Sequence, residues 1–532
     1  MSSIPTVDGK RVYRNYSPDL PRKWDVVVVG SGMGGMACAT ALGKSGRKVL
    51  VLEQHYVPGG FTHMFARKGF HWDAGVHAMG EMLPHEIPGK VLRWLTDGRV
   101  EMLPLGDPYD RFRFHDGFEW GLPASRDAWV SALRREFPDQ HAAIDRYLNL
   151  VSQAARSAMS FFAFKSFPEV VDVVGSRVVS ALSQDFWGMT TEQALDQCGV
   201  QGRLRTVLTL HWGYYGSIPR ESAFPIHALT HSHFWNGAYY PRGGSKMFAA
   251  HMLDAVRRAG GDTVVRADVS RILVENGRAV GVGLKDGTEV RAPVIVSAAG
   301  AKATVNKLVP KPLRHSEWGR SISALRDSPP YICLNLGFEG DIRAGGATPA
   351  NLWLFETWAE DAKLWRVDDP AAIAPILYCS FPSLKDPDHD PGPKQRHTGE
   401  CITFVDWGLF ARYAEGDPER RPVDYQALKR DIEERLLAHL RRRIPDVMQH
   451  LVYQELSTPI TTEHFTRASR GAIYGLEASP DRFKCTALRT RTPLPNFYMT
   501  GSDVASLGVV GAMTSGMLTA ATIDPRIYRR LL

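Results

Sequence analysis

Continuous apolar runs near the N-terminus predict buried parallel strands. Residues 24–29 read WDVVVV and residues 48–52 read KVLVL. A strand covered by helices on both faces loses the alternation of apolar and polar positions, as in parallel sheets. The stretch between the two runs, MACATALGKSG, favours a helix that lies on the sheet and ends near Gly46. The pattern therefore predicts a strand–helix–strand unit.

Other segments predict elements of different kinds. Residues 262–299 alternate between apolar and polar positions and contain an Asn-Gly and an Asp-Gly pair, which are typical of hairpin turns. Residues 425–444 place leucine and isoleucine on one face of an amphipathic helix. Near the C-terminus, residues 496–500 predict a strand, and the small residues of 508–523 predict a helix. The chain thus contains segments with the periodicity of helices and segments with the periodicity of strands.

A glycine motif joins the first predicted strand to the first predicted helix. Gly30, Gly32 and Gly35 fit the pattern G-x-G-x-x-G. In this pattern the first glycine allows a tight turn, the second lets a diphosphate approach the backbone, and the third lets the helix pack close to the strand. Glu53 ends the second strand, where a carboxylate would hold ribose hydroxyls. Together these features predict a dinucleotide-binding unit, with the diphosphate at the helix N-terminus.

Two further segments favour FAD over NAD. Gly59 and Gly60 form a pair just past the ribose acid, which is typical of two-dinucleotide-binding flavoproteins. Near the C-terminus, Gly501-Ser502-Asp503 follows a predicted strand, and the Asp503 carboxylate would bind the ribityl chain or order water at the diphosphate. The amide end of the helix after it would face the flavin pyrimidine ring, where negative charge collects on reduction.

These pieces resemble the superfamily of FAD-dependent phytoene desaturases, carotenoid isomerases and all-trans-retinol 13,14-reductases (retinol saturases). The segments GAIYGLEASPDRF and GSDVASLGVVGAM point to the retinol saturase and carotenoid isomerase branch. Phe61 follows the glycine pair where phytoene desaturases and amine oxidases commonly carry arginine. The resemblance implies that Val269 contacts the adenine through its backbone. The predicted cofactor-binding residues are Gly30, Ser31, Gly32, Met33, Gly34, Gly35, Glu53, Gln54, Gly59, Gly60, Phe61, Val269, Gly501, Ser502, Asp503, Val509 and Val510.

The length of 532 residues favours two domains. The resemblance implies an α/β fold in which a two-dinucleotide-binding, Rossmann-like FAD domain is interleaved with an α+β substrate domain. We expect residues 1–85, 236–320 and 456–532 to build the FAD domain, and residues 86–235 and 321–455 to build the substrate domain.

The resemblance also implies the reaction. We expect an oxidoreductase that saturates, desaturates or isomerises double bonds of an apolar isoprenoid, carotenoid-like or retinoid-like, by hydride or electron transfer at flavin N5. Aromatic residues are frequent in residues 161–240 and would wall a tunnel for such a ligand, although an ordinary core has the same composition. Without a second G-x-G-x-x-G for NAD(P)H, an external electron donor or acceptor is expected.

Saturation of a double bond needs a proton donor. His77 is the first candidate, because its segment is expected to run alongside the cofactor. Glu477, in the branch-specific segment, is the second and would cap the pocket. His211, His231 and His233 are further candidates. The predicted catalytic residues are therefore His77 and Glu477.

Composition narrows the class of protein. Hydrophobic residues make up 44% and charged residues 23%, which is typical of a globular chain. The formal net charge of +7 comes from interspersed charges without a long basic stripe, which argues against nucleic-acid binding. The six cysteines lack C-x-x-C or zinc spacing and predict buried thiols in a reducing compartment without a metal site.

The sequence shows no secretory signal and no apolar run of membrane-spanning length, so we expect a cytoplasmic protein. Residues 161–174 read FFAFKSFPEVVDVV and would form an apolar patch. The sequence leaves open whether this patch makes peripheral contact with a membrane.

Two other interpretations also stay open. One is an amine-oxidase-like flavoprotein, against which Phe61 counts. The other is a non-redox lipid- or prenyl-binding protein on the same scaffold, similar to the GDP-dissociation inhibitors. Glu53 and Asp503 favour a retained cofactor.

Overall fold

A six-stranded parallel sheet forms one half of the molecule. The computed structural model describes residues 3–166, 186–359, 364–415 and 420–530. In spatial order the strands are Phe497–Met499, Val294–Ser297, Val26–Val29, Val49–Leu52, Asp262–Val265 and Arg14–Asn15. Every residue of Val26–Val29 and Val49–Leu52 is buried, which explains their unbroken apolar sequences. The predicted α/β class is confirmed.

Two small-residue helices pack closely on this sheet. Met33–Lys44 follows the first glycine turn, and Gly508–Ile523 comes from the C-terminal end. A Cβ atom added to Gly516 would lie 2.4 Å from the carbonyl oxygen of Gly34, closer than any real side chain allows. The two ends of the chain therefore meet because both helices carry glycine at the contact. A third helix, Lys246–Arg258, packs against Met33–Lys44.

A three-stranded antiparallel meander lies beside the parallel sheet. Its strands are Val269–Glu275, Arg278–Leu284 and Glu289–Arg291. Asn276 and Gly277 turn the chain with φ angles of 48° and 72°, a left-handed conformation that suits both residue types. The predicted hairpins are confirmed.

The second half contains a seven-stranded mixed sheet. In spatial order its strands are Glu119–Leu122, Asp110–Phe114, Asn351–Phe355, Ile376–Ser380, Arg396–Phe404, Tyr331–Glu339 and Leu451–Ser457. All neighbours are antiparallel except Asp110–Phe114 and Asn351–Phe355. One face packs on helices that include Arg126–Glu136, His141–Phe164 and Phe224–His233. The other face packs on the helix Val423–Arg443, which matches the predicted amphipathic helix.

Shorter elements complete the described chain. The remaining described α-helices of four residues or more are Ile87–Leu95, Thr191–Cys198, Arg203–Thr209, Lys311–Arg314, Glu317–Ala324, Pro382–Lys385, Gly408–Ala411, Pro445–Met448, Pro459–Thr466 and Pro480–Lys484. The paired strands are Thr6–Val7 with Lys10–Arg11, Met64–Arg67 with Phe70–Asp73, and Met102–Pro104 with Tyr239–Pro241.

The predicted segment boundaries between the two domains stay a prediction, although each sheet draws strands from distant parts of the chain. All six cysteines are free, and five are buried. No helix of the described residues is long and apolar enough to cross a membrane. Residues 167–174 of the predicted apolar patch, with Phe167, lie outside the described residues.

Candidate functional site

A cavity of about 1800 Å³ lies at the carboxyl ends of the parallel strands and continues into the second half of the molecule. Val29 and Leu52, the last residues of two strands, line it, as does Gly501 beyond a third. Open α/β sheets bind ligands at this edge. Single-ligand pockets usually measure about 300–1,000 Å³, so this cavity has room for a dinucleotide and a second ligand.

The first glycine turn leaves a space shaped for a diphosphate. Gly32 caps the helix Met33–Lys44, and no described side chain caps that end, so its first amides are free to bind an anion. A Cβ atom on Gly32 would meet no atom within 4 Å, because it points into the cavity. A Cβ atom on Gly35 would lie 2.1 Å from the carbonyl oxygen of Gly30, as the predicted close packing of helix and strand requires.

Glu53 lies at the cavity wall beside this turn and is buried. Its carboxylate accepts hydrogen bonds from the Ser31 amide at 2.9 Å, the Ser31 hydroxyl at 2.6 Å and the His55 amide at 2.8 Å. The Gly59 amide donates to the Ser31 hydroxyl at 3.0 Å. Ser31 and Gly59 therefore stand behind the wall and hold Glu53 in place. The residues of the turn fit a diphosphate, and Glu53 fits a ribose.

The C-terminal segment forms the opposite wall. Asp503 is buried, and its two carboxylate oxygens accept hydrogen bonds from the amides of Ala301 and Leu476, each at 2.8 Å. This carboxylate therefore fastens three chain segments at the cavity. The helix Gly508–Ile523 begins at the cavity with no side-chain cap from the described residues. Glu53 and Asp503 line the same cavity.

Most of the predicted cofactor-binding residues lie on the cavity surface. Those that line it are Gly30, Gly32, Met33, Gly34, Gly35, Glu53, Gln54, Gly60, Phe61, Val269, Gly501, Ser502, Asp503, Val509 and Val510. Ser31 and Gly59 do not line the cavity, because they lie behind its wall, where they hold Glu53 in place.

The other end of the cavity has aromatic and aliphatic walls. Of the described aromatic residues between positions 161 and 240, Phe162, Tyr214, Phe234 and Trp235 line it, and most of the others belong to hydrophobic core clusters. The seven-stranded sheet supplies further walls that the sequence did not indicate, namely Tyr331, Trp353, Ile376, Tyr378, Ile402 and Phe404. The alternation of side chains along a strand shows which residues share a face of the sheet, but it does not show which ligand that face contacts.

His77 lines the cavity. Its Nδ1 atom lies 3.2 Å from Oε2 of Glu400. Burial, and then the charge of Lys385, lower the pKa of His77 to about 3, so the ring is neutral at ordinary pH. A neutral ring still carries one N–H proton.

The other three histidine candidates are held by structural contacts. His211 and His231 are buried and do not line the cavity; His231 Nε2 lies 2.7 Å from the Leu208 carbonyl. His233 lines the cavity, but its Nε2 accepts from the Gly80 amide at 2.8 Å and its Nδ1 lies 2.9 Å from Glu81. None of the three histidines is therefore placed to donate a proton to a ligand in the cavity.

The expectation that Glu477 caps the cavity is corrected by the structure. Glu477 is buried but does not line the cavity, and its Oε2 forms an ion pair with Arg326 at 2.7 Å. The segment does reach the cavity, but through Tyr474, Gly475 and Leu476. This segment is irregular, with Gly475 at a φ angle of 72°, so no regular period along the sequence could say which of its side chains face the cavity.

Sequence reasoning missed a buried polar cluster behind His77. Lys385 Nζ donates to the His77 carbonyl at 2.7 Å, to Asn351 Oδ1 at 2.6 Å and to the Ser380 hydroxyl at 2.7 Å. Three acidic residues lie nearby, namely Asp73, Asp110 and Glu400. Each belongs to a different part of the chain, so no local motif could reveal them. Burial lowers the pKa of Lys385 to about 8 and raises the pKa of Asp110 to about 6.

A parallel sheet with a glycine turn, a buried acid at the end of its second strand and a large cavity shared with a second sheet are features typical of oxidoreductases that use a nucleotide cofactor. The chain belongs to the family of flavin-containing amine oxidoreductases, whose model matches residues 33–524. It is an oxidoreductase, and its cofactor is a flavin.

The relatives agree with the branch that the sequence predicted. The chain is 30% identical over 527 residues to all-trans-retinol 13,14-reductase of Danio rerio, covering 95% of this chain and 86% of the relative. It is 22% identical over 508 residues to prolycopene isomerase of Arabidopsis thaliana, covering 93% and 82%. Among solved structures, putrescine oxidase matches with a TM-score of 0.63 at 17% identity, covering 95% of this chain and 99% of that chain. The last likeness concerns the fold.

Proposed function

We propose that this protein is an FAD-dependent oxidoreductase that acts on double bonds of an apolar polyene of the isoprenoid class, by saturation, desaturation or isomerisation. The observation that carries the proposal is one continuous cavity that is lined by the glycine turns and Glu53 at one end and by apolar side chains at the other. The relatives named for retinol and for prolycopene support the isoprenoid class. When bound, FAD would supply hydride or electron transfer at its N5 atom.

The chain's own residues would hold FAD along the carboxyl edge of the parallel sheet. The amides of the turn at Gly32 would bind the diphosphate, and Glu53 would bind the adenosine ribose. Val269, the first residue of the meander, lines the cavity and would contact the adenine. Asp503 and the N-terminus of Gly508–Ile523 would face the ribityl chain and the flavin ring.

The second half would position the polyene and exclude water. Ligands with few polar groups are held by apolar walls, and Phe162, Trp353 and Ile376 provide them. An external electron donor or acceptor completes the cycle, because the sequence carries one dinucleotide motif only.

The test begins with the purified protein. Bound cofactor released by heating is identified by chromatography, and we expect FAD. The flavin is then reduced with dithionite without oxygen and mixed with all-trans-retinol or a poly-cis carotene, while absorbance follows the flavin and mass spectrometry follows the polyene. A gain of two hydrogens identifies saturation, and an unchanged mass with a new retention time identifies isomerisation. Desaturation is tested with the oxidised flavin and a saturated analogue.

Two results would contradict the proposal. A flavin that is reduced by amines and leaves every polyene unchanged would favour an amine oxidase. A protein that retains no flavin and binds prenyl lipid would favour a non-redox carrier.

A further inference from the structure

A buried carboxyl group faces the inner nitrogen of His77. Glu400 lies on the strand Arg396–Phe404, and only 1% of its side chain is exposed. Its Oε2 atom is 3.2 Å from His77 Nδ1. Among the described residues, neither His77 Nδ1 nor Glu400 Oε1 has a hydrogen bond of good geometry. Unsatisfied buried polar atoms are rare and call for a functional or structural reason.

The orientation of the ring gives its two nitrogens different surroundings. Nδ1 is buried against Glu400, and the ring also lines the cavity. Nε2 is therefore the ring nitrogen available to a ligand in the cavity. His77 lies two residues after Gly75, which packs on Phe61 at the end of the second glycine turn. The histidine is thus placed where the cofactor end and the apolar end of the cavity meet.

We propose that Glu400 and His77 form a proton-delivery pair, in which Glu400 stores a proton and His77 passes one from Nε2 to a carbon of the bound polyene. This inference rests on the proposed function, because it concerns the proton that saturation requires. It assigns to Glu400 a role as a positioning and proton-storing residue.

The proposed step balances in atoms and electrons. Saturation adds one hydride, which carries both electrons, and one proton to a double bond. The reductant is the reduced flavin of the proposed function. The proton leaves His77 Nε2 as Glu400 transfers its own proton to Nδ1, so the ring stays neutral and Glu400 becomes a carboxylate. The pair then recovers one proton from water.

The surroundings of Glu400 suit this exchange. Burial and the neighbouring Asp73 raise the pKa of Glu400 well above its usual range, which favours the protonated carboxyl that the proposal requires. The nearby Lys385 would stabilise the carboxylate left after transfer. Asp73 itself accepts hydrogen bonds from Tyr240 and Ser245. The other ionisable groups that face Glu400 are Tyr240, Tyr331, Cys333 and Tyr378.

The first test does not depend on turnover. Infrared difference spectra of the protein without substrate compare wild type with Glu400→Gln at neutral pH. We expect wild type to show the C=O stretch of a protonated carboxylic acid that Glu400→Gln lacks. Asp110→Asn is the matched control, another buried carboxyl near Lys385, and should keep the band. His77→Gln should shift the band. A wild-type spectrum without a band that depends on Glu400 would overturn the proposal.

The second test uses the reaction. In the flavin-loaded protein, Glu400→Gln should lower kcat for polyene saturation by on the order of 100-fold, the usual share of a general acid, with KM and flavin content unchanged. A Glu400→Gln rate within about twofold of wild type would refute proton delivery. If no polyene reacts, the proposed function fails, and the infrared comparison alone decides whether Glu400 stores a proton.

Discussion

At the scale of single residues, the proposed cofactor binding depends on the absence of a side chain at Gly32. Gly32 has φ −60° and ψ 169°, a conformation open to every residue type, and a Cβ atom there would touch nothing. The fold alone therefore does not demand glycine at this position. The demand comes from a ligand that must approach the backbone.

We predict that Gly32→Val keeps the fold but loses the flavin. The valine side chain would fill the space in front of the amides of Met33–Lys44, where the diphosphate would sit. Flavin absorbance per protein should fall at least about tenfold, equal to about 1.4 kcal/mol or more of binding free energy. Ala142→Val, at an exposed position of the helix His141–Phe164, is the control and should retain flavin. Full flavin content in Gly32→Val would contradict the proposed cradle.

At the scale of elements, the contact between the two small-residue helices joins the N-terminal and C-terminal ends. Gly516 meets the backbone of Gly34 and the Ala37 side chain, with no space for a further carbon. The sequence predicted both helices from their small residues, within three positions at their ends. It did not predict that they pack on one another, because residues 34 and 516 are far apart in the chain.

We predict that Gly516→Leu lowers the free energy of unfolding by about 1–3 kcal/mol or more, because overpacking forces the helices apart. Thermal unfolding followed by circular dichroism gives the midpoint. Ala427→Leu, at an exposed position of the helix Val423–Arg443, adds the same side chain without a steric conflict and should leave the midpoint nearly unchanged. Equal midpoints for the two variants would be evidence against the close contact.

At the scale of the whole molecule, burial sets the charge states. Burial lowers the pKa of His63 and of His231 to about 4, and that of His77 to about 3, against an ordinary value near 6.5. Between about pH 4 and pH 6.5, the unfolded chain therefore binds protons at these histidines that the folded chain does not bind. Stability from these groups is present above pH 6.5 and is lost as the pH falls towards 4.

We predict that the thermal midpoint falls between pH 6.5 and pH 4, with each of these histidines contributing up to about 1.4 kcal/mol per pH unit. His231→Gln should make the decline shallower, because glutamine can donate to the Leu208 carbonyl without taking up a proton on unfolding. The control His115→Gln changes an exposed histidine and should leave the slope as it is. A slope that is identical in all three proteins would refute the assignment.

The sequence by itself determined the strand–helix–strand unit, the glycine turn, Glu53 and the C-terminal half of the cofactor end. These features are local, since fixed spacings along the chain set both the turn and the residues that follow it. Only the tertiary structure decided that Glu477 turns away from the cavity while Glu400 and Lys385 gather behind His77. Those groups come from strands and helices distant in sequence, and their charges depend on burial, which no spacing encodes.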